Sequence, residues 1–163
     1  MTSKSGEPRY LEFDPANPDE VVATMDAMAA AHQGWVNFEP AVDLDDVPPP
    51  GGFFGVFSGR GPDVPLATWT APTAPRRGRG LGEPAMIGLQ HGAGRRIKAQ
   101  LADMGHPVPD GWVVVQDYVR KGLVVSVPAG ASHSDVVAWL VGAAGAVSRI
   151  PLTGTWRASV YEG

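Results

Sequence analysis

The alternation of apolar and polar residues is clearest in the run Gly111-Trp-Val-Val-Val-Gln-Asp-Tyr-Val-Arg-Lys-Gly-Leu-Val-Val-Ser-Val-Pro128. Two valine-rich stretches flank Lys121-Gly122, which predicts a β-hairpin with a two-residue turn. In that register Arg120 faces Leu123, Tyr118 faces Val125 and Gln116 faces Val127. These residues share a face with Trp112 and Val114, the face expected to carry helices. The opposite face shows Val113, Val115, Val119 and Val124, with Asp117 opposite Ser126. So apolar a face needs cover, expected from the N-terminal helix and hairpin, with a homodimer as the other source.

The rest of the chain is read around this hairpin. Arg9 to Phe13 alternates as a short strand. Asn17-Pro-Asp-Glu20 supplies a cap, a first-turn proline and a capping-box glutamate. Val21, Val22, Met25, Met28, Ala29 and His32 then recur at helical spacing, and Gly34 ends the helix with its methionines in the core. A strand at Trp35 to Phe38 is followed by an acidic, proline-rich loop over 43–52. Phe53 to Phe57 and Leu66 to Thr70, separated by Gly59-Arg-Gly-Pro-Asp63, form a second predicted hairpin. Residues 71–82 read as an exposed loop.

From residue 84 onward the pattern gives a strand at Ala85 to Gln90, then a glycine turn and a helix from Ala93 to Met104. A helix through Gly88, Gly92 and Gly94 would lose about 1 kcal/mol at each, which favours the strand. After the long hairpin, Ser132 caps a helix with Asp135 in its first turn, and Thr155 to Tyr161 alternates as a final strand. The order is βαββαβ, the ferredoxin-like split pattern. The expected fold class is therefore α+β within a single domain of 163 residues. A ferredoxin-like C-terminal half (84–163) would pack with an N-terminal helix and hairpin (1–71) through a Pro/Arg/Gly-rich loop (72–83).

Composition narrows the chemistry. The chain has no cysteine, which removes disulfides, thiolate zinc sites and thiol nucleophiles and fits a reducing, cytoplasmic setting. No apolar leader segment opens the sequence, and no run approaches the ~18 apolar residues of a membrane span. Neither a signal peptide nor membrane insertion is expected. Arginine outnumbers lysine ten to three amid abundant Ala, Gly and Pro, the mark of a GC-rich, actinobacterial-like genome. The net charge of −4 hides an acidic front and a basic middle formed by Arg76, Arg77, Arg79, Arg95, Arg96 and Lys98. That basic segment lacks interleaved aromatics and any helix-turn-helix spacing, so nucleic acid is not the expected partner.

Two glycine-rich turns are candidate anion sites. Gln90-His-Gly-Ala-Gly-Arg-Arg96 follows a strand and opens a helix, where His91, Gly92, Gly94, Arg95 and Arg96 could hold a small anionic ligand. Arg77-Gly-Arg-Gly-Leu-Gly82 is the other, with Arg77, Gly80 and Gly82 as its candidate residues. This second motif resembles the pyrophosphate loop of coenzyme A-dependent N-acetyltransferases. The resemblance implies coenzyme A as cofactor, held by backbone N–H groups at a helix start. Without it no cofactor is expected. No histidine pair has metal spacing, so no metal site is expected. His91 and Asp117 are the catalytic candidates, His91 as acid–base; Asp117 on its strand is either the polar partner of Ser126 or the edge of a pocket, and Ser132 is explained as a cap. No acid, base and nucleophile converge. The expectation is a binding module, for a protein partner at its acidic N-terminal face or for a small anion; acetyl transfer is the alternative.

Overall fold

The computed structural model describes residues 6–47 and 61–163. Its elements run β1 (Arg9–Phe13), α1 (Asp19–Ala31), β2 (Trp35–Val42), β3 (Leu66–Thr70), β4 (Ala85–Gln90), α2 (Ile97–Asp103), β5 (Val113–Tyr118), β6 (Gly122–Val127), α3 (His133–Val147) and β7 (Leu152–Tyr161). The predicted strand at Phe53 to Phe57 lies outside the described residues. The other strands join one antiparallel sheet in the order β1-β7-β2-β3-β4-β6-β5.

The α+β class is as expected, but the ferredoxin-like half is not a separate sheet. In that pattern β7 would close against β4. Instead β2 and β3 stand between them, and β7 pairs with β2 on one side and β1 on the other. The antiparallel pairings make β4 and β5 parallel with β6 between them, so β4-α2-β5 is one split βαβ unit. By the same logic β1-α1-β2 is a second, with β7 in its gap. Helix α3 carries the chain from the first unit across the sheet to fill the second.

Alternation explains which face is buried. Leu11, Phe13, Val36, Phe38, Trp69, Ile87, Leu89, Leu123, Val125 and Trp156 point to one side and are buried together with the helices. Helix α1 contributes Val21, Met25 and Met28, as its spacing predicts. Its start differs: the N-cap is Pro18, without a side-chain bond, while the Asn17 N–H donates to Asp14. Helix α3, capped by Ser132 accepting from the Asp135 N–H at 3.1 Å, packs against α1 and α2.

The hairpin register also differs. Tyr118 pairs with Gly122, so the loop has three residues, Val119 to Lys121, and a bulge interrupts the ladder between Val114 and Gln116. Leu123, expected opposite Arg120, pairs with Asp117, three residues along and so on the other face; the bulge adds a fourth residue, and Val125 pairs with Val114 rather than Tyr118, back on the expected face. Val114 keeps its expected side, whereas Asp117 pairs with Leu123 and moves to the helix side. Among the described residues, the cover expected from the N-terminal half is not there. α1 lies on the helix face, and β2 and β3 extend the sheet edge to edge. Among the described residues no element covers the other face.

Candidate functional site

The two glycine-rich turns lie at opposite ends of β4, a six-residue strand, and therefore about 17–20 Å apart. They do not form one pocket.

At the far end of β4, His91 is buried at 1% exposure. Its Nδ1 accepts from the Ala93 N–H at 3.2 Å, which puts the proton of the neutral ring on Nε2, where it has no partner among the described residues. Asp117 spans the start of α2, accepting the Ile97 and Lys98 N–H groups at 3.2 Å each. The position an external anion would take at that helix start is filled by the chain's own carboxylate. Gln100 donates from Nε2 to the Ala93 and Arg95 carbonyls, and Arg96 adopts a left-handed conformation. Helix α2 starts at Ile97 rather than Ala93 because these bonds hold 93–96 as a turn. Arg95 and Arg96 are exposed, and Gly94 faces open space. Gly92 is needed for packing against the Gly61 and Pro62 carbonyls.

Burial lowers the pKa of His91, and the Asp117 charge offsets this in part. A folded-state pKa below the ordinary value near 6.5 means the unfolded chain binds the extra proton first. Stability from this group is complete above about pH 6.5 and is lost as pH falls from there through the folded pKa. Urea midpoints measured between pH 7.5 and 5.5 should fall more steeply for the wild type than for His91→Asn.

At the near end of β4, the Arg77–Gly82 segment is an excursion closed by paired bonds. Thr73 N–H donates to the Glu83 carbonyl and Glu83 N–H to Thr73 Oγ1, both at 3.0 Å. Arg77 is exposed and left-handed, and Gly80 faces open space. The loop runs into β4, not into a helix, so the helix start that the acetyltransferase motif relies on does not follow Gly82. Gly82 is required by contact: a Cβ there would overlap the Thr73 carbonyl.

Gly82 nevertheless borders the site that sequence reasoning missed. A cleft of about 540 Å³ opens between the end of α1, the 72–84 loop and the start of α3. Its walls are mainly apolar, including Pro72, Pro75, Leu81, Pro84, Val127 and Pro128, over the buried Trp69. Polar groups are few: His32, Thr73, Glu83 and His133.

His133 is the best-placed of these. Its Nδ1 lies 2.5 Å from Asp26 Oδ1 on α1, and its ring meets Trp69 edge to face at 5.1 Å between centroids. Asp26 fixes the ring and leaves Nε2 as its remaining polar atom. Such a pair can hold a hydrogen-bonding group or exchange a proton with one. Thr73 Oγ1 is engaged with Glu83, and among the described residues no hydroxyl is bonded to His133. Among the described residues no group of three His, Asp or Glu could hold a metal ion. The Trp69 indole N–H is buried without a partner among the described residues.

Comparison with protein-family models, with curated proteins and with solved structures finds no match to this chain.

Proposed function

We propose that this chain is a small-molecule binding module. Its ligand is a compact, mostly apolar molecule with one hydrogen-bonding group directed at His133. The observation that carries the reading is the cleft: its volume and sparse polar lining are those of a small-ligand site, in the ~300–1,000 Å³ range. The proline-rich wall is stiff, so little ordering opposes binding. The 15-residue α3 begins at the same place, and its positive end favours an acceptor or acidic group there.

Anilinonaphthalene sulfonate, an aromatic with one acidic group, is a suitable probe. Titration should give a saturable fluorescence rise at one probe per chain. Ala131→Trp, which fills the cleft, should abolish it with the melting temperature preserved, and His133→Ala should weaken it by about tenfold, a loss of ~1.4 kcal/mol. Equal binding by wild type and a folded Ala131→Trp would overturn the proposal.

A further inference from the structure

We propose that the helix-free face of the sheet docks a second copy of this chain, sheet on sheet, about a two-fold axis parallel to the strands over β3. This face is on the opposite side from the cleft and is independent of it. Exposed large apolar side chains stand at both edges of this face: Tyr10 at 59% on β1, and Val113 at 60% and Tyr118 at 61% on β5. The pairing register sets Tyr10, Ser159, Asn37, Thr68, Gly88 and Val124 in one row across six strands.

The two halves of the face differ in kind. The β1-β7-β2 half is aromatic, with Trp35 and Tyr161 stacked at 4.8 Å. The β4-β6-β5 half carries the smaller aliphatic groups Met86, Val124 and Val113 beside Gly88, above which space is open, with Tyr118 at its outer edge. Like halves would not interlock, but a two-fold axis over the central strand sets unlike halves together. Trp35 then lies over the partner copy's Met86, and Asn37 over its Gly88. Asn37 already accepts from Thr68 Oγ1 at 2.8 Å, which lessens the cost of burying it.

Charge commits the face to this partner. Glu12 stands on the β1 edge, while Arg120 and Lys121 form the turn at the β5 edge. Both lie at the same end of the sheet, because Glu39, beside Arg157 and Glu12, follows Phe38 toward the Leu66–Gln90 pair, which adjoins Gly122. None of the three is in an ion pair among the described residues. The two-fold axis brings Glu12 onto the partner copy's Arg120-Lys121 turn, twice per dimer. The bulge in β5 works against edge-to-edge pairing and favours the face.

Sedimentation velocity over a concentration series tests this. The wild type should approach twice the 17.1 kDa chain mass. Val113→Glu should leave a folded monomer. Glu12→Lys should raise the dimer dissociation constant about tenfold, and adding Arg120→Glu with Lys121→Glu should restore it. A wild type that stays monomeric overturns the proposal. So does a dimer indifferent to Val113→Glu, or one in which the triple charge swap is weaker than Glu12→Lys alone.

Discussion

Replacing Trp69 by alanine should destabilise the chain by about 3–5 kcal/mol, the largest loss expected from any single truncation here. Trp69 is fully buried on β3, the central strand. It pairs with Val36 on β2 and Ile87 on β4, and its ring supports His133 at the base of the cleft. Removing the indole leaves a cavity that three strands cannot collapse to fill. The companion variant Trp69→Phe separates packing from polarity. The indole N–H has no partner among the described residues, and a buried orphaned donor costs about 1–3 kcal/mol. Phenylalanine removes that donor while keeping an aromatic ring, so it should lose less than half as much as alanine. Urea unfolding of both variants checks this. Equal losses would mean that the N–H is satisfied or that the ring edge carries all the packing.

The sequence was legible where local periodicity decides structure. The alternation in β7 and β6, the helical spacing of Met25 and Met28 and the Ser132 cap all correspond to observed elements. Strand order was not legible, because the insertion of β7 between β1 and β2 is set by contacts across the whole chain. The hairpin register failed for a subtler reason: a bulge and a longer loop leave the alternation of β6 unchanged while moving Asp117 to the other face. The site was the least legible part. Asp26 and His133 are 107 residues apart, and neither belongs to a motif. Each sits in an ordinary helical stretch, and only the packing of α1 on α3 brings them together. The Arg/Gly segment shows the converse. Its local pattern fitted a phosphate loop, but such a loop needs a helix behind it, and β4 follows instead.

Glycine in this chain answers to backbone geometry, and Gly122→Ala should show it with a loss of about 2–4 kcal/mol. Gly122 has φ of +79°, and an added Cβ would overlap the Leu89 carbonyl oxygen on β4. The left-handed conformation costs a side chain about 1–2 kcal/mol, and forcing overlap into a packed site typically costs about 1–3 kcal/mol more. Two other glycines isolate the two contributions. Gly94, with φ of +92° and nothing within 4 Å, carries the conformational cost alone. Gly82, without positive φ but against the Thr73 carbonyl, carries the contact alone. Urea unfolding of the three alanine variants should therefore place Gly122→Ala lowest, near the sum of the other two losses. If Gly122→Ala matched Gly94→Ala, the close approach of β6 to β4 would carry no cost. If Gly82→Ala were neutral in stability yet lost probe binding, that glycine would be serving the ligand rather than the Thr73–Glu83 closure.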